Sequence, residues 1–211
     1  MTPTTATRYR PINLSAWEVR AIIEGRKTQT RRMVNYLPRL GKVTCIGGSE
    51  TTGYDFCLRD KRDMWNEFRE DELLKLCPFG QPGDHLWGRE KFARSRNNWL
   101  YAADCVVDGG PQGNTDDWDW DSSMPNRWRP STQMPRWASR IDLLIKSIRI
   151  ERLQEISGPD CWAEGIESAG WDCTKWGSVT HCYRDLWEQA NGPESWDANQ
   201  FVWVIEHERV K

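Results

Sequence analysis

The sequence predicts an α+β fold: a small mixed β-sheet or barrel, a few short peripheral helices and two long insertions. Three observations predict it. Apolar stretches with strand-like alternation recur at about 8–14, 85–93, 137–153 and 201–208. The helical patterns are few and short, and they are punctuated by serine caps and glycine stops. Between these elements run two stretches, about 33–76 and 94–134, in which no period is sustained. A chain of 211 residues can build one domain with a real core, and residues 1–211 are read as a single domain carrying these insertions. There is no internal repeat.

Arg8 to Leu14 reads as a first strand, held to a sheet edge or a strand end by Pro11. A helix at about 16–25 follows. Ser15 and Glu18 fit a capping box, Val19, Ile22 and Ile23 share a face, and Gly25 fits the C-terminal cap. From Met33 to Cys77 glycine pairs and charges break the pattern, with a short helix at Glu72–Leu76. Cys77 to Asp84 is a turn feeding a strand from His85 to Ala93, with Asn98–Ala103 as its partner. Residues 104–135, rich in Gly, Asp, Pro and Trp, read as a long loop. From Trp137 to Leu153, Ile141, Leu143 and Ile145 alternate on one face, and Ile148 and Ile150 continue on the other parity. That slip predicts a bulge near Lys146–Ser147. Ser157 caps a short helix ended by Gly165, and Ser178 opens a longer one closed by Gly192-Pro193. Phe201–Glu208 is the last strand.

Composition narrows the function classes. A mean hydropathy of −0.78 and the lack of a long apolar run predict no membrane span. The N-terminus has no apolar signal core, so a cytoplasmic location is expected. Seven cysteines without C-x-x-C spacing fit reduced thiols, and Cys45, Cys57 and Cys77 match no zinc pattern. No metal and no cofactor are expected. A net charge of −2 argues against wholesale coating of nucleic acid. Residues 1–45 nonetheless carry nine Lys/Arg against two Asp/Glu, while 116–121 is acidic. That asymmetry suits an anionic or nucleotide-like ligand held at one site. Among the fourteen tryptophans, Trp99, Trp118, Trp120 and Trp128 lie in polar surroundings, where they either stack on a ligand or pin long loops.

The densest chemistry is Gly25-Arg26-Lys27-Thr28-Gln29-Thr30-Arg31-Arg32. A lysine crowded by arginines is a candidate base near neutral pH. Four segments, in this order, carry a resemblance: Ile23–Arg32; Gly83-Asp84-His85-Leu86-Trp87-Gly88-Arg89-Glu90; Leu153–Ile156 with Ala163–Ile166; and Trp203–Glu206. Together they resemble the ASCH domains of the PUA-like superfamily, in the long form found in phages and prophages. The resemblance implies a small PUA-like mixed barrel and a cleft at the Lys-Thr turn. It also implies an association with RNA and modified nucleosides. One small member removes the acetyl group of N4-acetylcytidine with a Lys, a Thr and a Glu, which fall here on Lys27, Thr30 and Glu164.

Amide hydrolysis needs a nucleophile, a base, an acid for the leaving nitrogen and donors for the oxyanion. Thr30 is the candidate nucleophile, Lys27 its base and Glu164 the acid. Lys27 and Thr30 meet only if 27–30 is not a regular strand. An unperturbed lysine is neutral only about one part in 2,500 at pH 7, so the arginines and burial would have to depress it. Arg32, Glu90 and Trp87 are the candidate substrate-binding residues. Each has a simpler reading: Thr30 as a turn cap, Glu164 as an ordinary last-turn residue, Arg32 and Glu90 as partners of neighbouring charges. His85 and His181 read as structural. The expected ligand is a small modified nucleoside or base, with RNA as the second candidate partner. A non-catalytic RNA- or nucleotide-binding module and a ribonuclease are the alternative functions. Oligomeric state is left open.

Overall fold

The computed structural model describes residues 7–94, 99–105, 128–169, 173 and 177–211. In chain order the elements are β1 (Tyr9–Asn13), α1 (Ala16–Ile23), β2 (Gln29–Met33), β3 (Tyr36–Leu37), β4 (Gly41–Gly48), β5 (Phe56–Asp60), β6 (Trp65–Phe68) and α2 (Glu70–Lys75). There follow β7 (His85–Arg89), β8 (Phe92–Arg94), β9 (Trp99–Tyr101), β10 (Asp142–Arg152), α3 (Gly158–Ala163), α4 (Val179–Asn191) and β11 (Phe201–Arg209). The class is α+β. The acidic run 116–121, with Trp118 and Trp120, lies outside the described residues.

The main sheet has the order β1-β7-β10-β11-β2. β1 and β7 are parallel and the other pairs antiparallel. Pro11 sits on β1, an edge strand, where its missing N–H costs no ladder bond. The expected slip in the long strand is present, as a register shift between Ile145 and Ser147 opposite β11. Among the described residues the sheet does not close into a barrel. Its two edges, β1 and β2, approach through a side chain instead: Arg32 of β2 donates to the Asn13 carbonyl of β1 at 3.0 Å and to Glu18 at 3.0 Å. A guanidinium standing between the edges leaves no room for a backbone ladder.

Three other expectations change. Residues 33–76 form a four-stranded antiparallel sheet, β3-β4-β5-β6, followed by α2. Each of its longer strands buries little, β4 only Val43, so the alternation is weak in sequence. Leu37, Val43, Leu58 and Leu73 nevertheless join the same buried cluster as Ile12, Leu86, Ile145 and Trp203. The stretch 85–93 breaks at Glu90, which turns inward to Arg140, and only Phe92–Arg94 pairs with β9. The strand expected from Trp137 starts at Asp142, because Arg136–Ala138 is a 3-10 turn with Trp137 exposed.

A second buried cluster fills the other face of the main sheet. There α3 and α4 cover Val202 and Val204 with Leu153, Cys161, Tyr183, Leu186 and Trp187. β11 is therefore buried on both faces, with Val202, Trp203, Val204 and Ile205 all inaccessible. No helix among the described residues is long and apolar enough to cross a membrane.

Candidate active site

The site begins where α1 ends. Ser15 and Glu18 form the capping box, and Gly25 adopts φ +75°, the left-handed conformation that glycine tolerates. The N–H groups of Arg26 and Lys27 both return to the Ala21 carbonyl, at 2.8 and 3.0 Å. Thr28 is then clamped: its N–H donates to Ala163 at the end of α3 (2.9 Å), and its carbonyl accepts from His207 of β11 (2.9 Å). Lys27 thus lies in irregular backbone, whereas Thr30 is already in β2, opposite Ile205. The basic stretch read as one turn is half turn and half strand.

Lys27 and Glu164 come together across 137 positions. Nζ donates to Glu164 Oε2 at 2.7 Å and to the Glu164 carbonyl at 3.0 Å. Glu18 of α1 stands 3.8 Å from the same nitrogen, and the Trp17 ring centre lies 5.4 Å away. Glu164 is the C-cap of α3, and Gly165 after it has φ +80°. A Cβ on Gly165 would fall 2.7 Å from Ala21 Cβ and 2.9 Å from Lys27 Cβ. This glycine is therefore what lets α3 deliver its last carboxylate to Lys27.

The arginines do not crowd the lysine. Arg26 faces solvent beside Glu24 and Glu167. Arg31, fully buried, pairs with Glu151, with Glu164 at 3.1 Å and with Asp160 at 3.5 Å. Arg32 pairs with Glu18 at 3.0 Å. The nearest charges to Lys27 are carboxylates, because several cations could not be buried together without anions. Burial alone would raise the carboxyl pKa of Glu18. Arg32 and Lys27 outweigh that and, with the Ser15 N–H, hold it at about 2.

Thr30 is fully buried, and its hydroxyl meets His207 Nε2 at 3.2 Å. Alternation puts Thr30 and His207 on the opposite face of the sheet from Arg31. Burial, reinforced by the positive charges of Lys27 and Arg32, lowers the His207 pKa to about 3. The imidazole is therefore neutral at pH 7, and among the described residues its Nδ1 has no hydrogen-bond partner. His207 was not among the residues singled out from sequence. Its proximity to Thr30 spans 177 positions and follows only from the β2–β11 register.

Lys27 and His207 line one cavity of about 590 Å³, with Ile22, Gly25, Thr28, Gln29, Ala163 and Glu206. Lys146, Glu208 and Arg209 complete its lining, the first two paired at 2.5 Å. The volume lies in the range of small-molecule sites, roughly 300–1,000 Å³. Arg32 stands outside the lining, as a brace between Glu18 and β1. Glu90 belongs to a second cluster, where Arg140 holds it with two bonds (2.8 and 3.0 Å) and also grips Asp104. Trp87 lies on the solvent side of β7, 5.4 Å from the Arg89 guanidinium. His85 pairs with Asp142 at 2.6 Å. Among the described residues no group of three or more His, Cys, Asp or Glu is arranged to hold a metal ion, and Cys45, Cys57, Cys77, Cys105 and Cys161 are free thiols. No family model, no curated protein and no solved structure matches this chain.

Proposed function

We propose that the chain is an amidohydrolase that removes acyl groups from N4-acylated cytosine nucleosides or bases, on a PUA-like core of the ASCH type. The observation that carries this reading is the buried Lys27–Glu164 contact of 2.7 Å, made by a residue that lines a cavity of about 590 Å³ although Glu164 itself does not. In this reading the proton between Lys27 and Glu164 moves to the carboxylate as the substrate binds, which frees the amine to act. Lys27 then takes the Thr30 proton as Thr30 Oγ1 adds to the acyl carbonyl, and Glu164 protonates the departing N4 amino group. Water cleaves the acyl-threonine and restores the hydroxyl. His207 covers Thr30 in this state, so attack requires the imidazole to release the hydroxyl.

A second reading is favoured by one specific observation. Thr30 and Glu164 are both absent from the cavity lining, and Glu164 takes two of the three N–H donors of Lys27, which suits a site that binds a modified nucleotide without cleaving it. Incubation with N4-acetylcytidine and a bulkier N4-acyl analogue separates the two. Release of cytidine by the wild type, lost in Lys27→Met and in the near-isosteric Thr30→Val while both variants still bind cytidine, is the expected result. No release by a folded wild type, with affinity weakened in Lys27→Met, would establish the binding reading instead.

A further inference from the structure

A second set of side chains, none of which lines the cavity, starts at the β1 edge of the main sheet. Tyr9, on edge strand β1, is exposed and packs its ring against His85 of β7, 4.7 Å between centres. The Arg136 guanidinium lies 3.8 Å from the Tyr9 ring centre. The next residue, Trp137, is 69% exposed and meets Trp99 of β9 at 5.0 Å, edge to face. Arg94 of β8 in turn stands 5.7 Å from the Trp99 ring. One chain of contacts thus runs from β1 and β7, across the 3-10 turn at Arg136–Ala138, to the β8–β9 hairpin.

Three features of this ladder bear on what it meets. First, burial explains only part of it: Trp99 packs against the small buried cluster of Phe92, Met134 and Ala138, but Trp137 is 69% exposed, so its ring is available as a face. Second, pairs of rings alternate with guanidiniums, which suits the two demands of a single strand: bases stack on aromatic faces and phosphates pair with cations. Third, among the described residues Asp142 is already bonded to His85 and no carboxylate pairs with Arg136 or Arg94, which leaves these residues a positive surplus for an anionic partner. A proline-rich peptide would also use exposed aromatics, but it brings no charge for the arginines to meet.

We propose that the ladder His85–Tyr9–Arg136–Trp137–Trp99–Arg94 is a docking surface for single-stranded nucleic acid, separate from the cavity. It does not depend on what the cavity does, because the two share no residue. Trp137 supplies the open ring, Arg136, stacked on Tyr9, supplies the first cation, and the hairpin supplies the second.

The test is fluorescence anisotropy of the full chain with a labelled oligouridylate about ten nucleotides long, within the ~4–16 of known single-strand sites. Tyr9→Ala and Trp137→Ala are exposed changes that should leave folding intact. Each is expected to weaken binding about tenfold, and Arg136→Gln to flatten the dependence of affinity on salt. Lys146→Ala and Arg209→Ala, at the cavity, should leave binding unchanged. The proposal is overturned if the wild type does not bind, or if it prefers a proline-rich peptide. It is also overturned if the ladder variants bind as the wild type does, or if only the cavity variants lose affinity.

Discussion

At the scale of single residues, the site is a set of buried charges and one neutral imidazole. Their titration dictates how the protein responds to acid. His207 has a folded pKa of about 3 against an ordinary 6.5. Below pH 6.5 the unfolded chain takes up a proton that the folded chain refuses, so stability is full above 6.5 and falls as pH drops toward 3. The slope within that window approaches about 1.4 kcal/mol per pH unit. Glu18, at about 2 against 4.5, adds a second loss that begins only below about 4.5. His207→Gln, which keeps a donor but does not titrate, should therefore flatten stability between pH 6.5 and 4.5 and leave the steeper fall below 4.5 in place. Urea unfolding midpoints across pH would show this, and an unchanged slope in the variant would sink it. Lys27, Thr30 and Glu164 were legible as candidates because the resemblance marks them locally. His207 was not, since nothing around it in sequence announces a partner in β2.

At the scale of elements, what was legible is what is local. Ser15, Ser157 and Ser178 cap the helices they were expected to cap, and Gly25, Gly165 and Gly192 sit past the helix ends with positive φ. The bulge after Ile145 was legible for the same reason, because a parity slip is written in consecutive residues. Strands β3 to β6 were not, since they bury few side chains each and their pairing is decided by neighbours. One cap does more than end a helix. Gly165 brings α3 within contact of Ala21 and Lys27. Gly165→Ala should cost more than the usual ~1 kcal/mol of a positive-φ glycine, because the new methyl collides with backbone-borne atoms that cannot swing away. The expected outcome is a lowered thermal midpoint together with loss of activity or ligand binding at the cavity. Gly177→Ala, also at positive φ but with open space around it, is the control. Equal effects at both positions would show that only backbone strain matters.

At the scale of the whole molecule, the small sheet β3–β6 and the main sheet share one hydrophobic cluster. An insertion that merely decorated the fold could be removed. Here deletion of residues 36–76 with a short Gly/Ser bridge should abolish cooperative unfolding, because it strips Leu37, Val43, Leu58 and Leu73 from the cluster and leaves Ile12, Leu86 and Trp203 exposed. Circular dichroism and a thermal melt would check this; a sharp transition in the shortened chain would show that the second sheet is dispensable. The openness of the main sheet was not legible from sequence, because it turns on whether two edges meet. Arg32 decides that by standing between them.

The burial of β11, between β10 and the edge strand β2, has a consequence for how the protein is made. β2, near the start of the chain, bonds in that sheet only to β11, and so does half of β10. During synthesis from the N-terminus, β2 waits with an open edge while well over a hundred further residues are added. Thr30 cannot find His207, nor Thr28 its second clamp, until β11 emerges. A nascent or prematurely terminated chain therefore has no site, and the interval before β11 emerges is when it is most exposed to misassociation and to capture by chaperones.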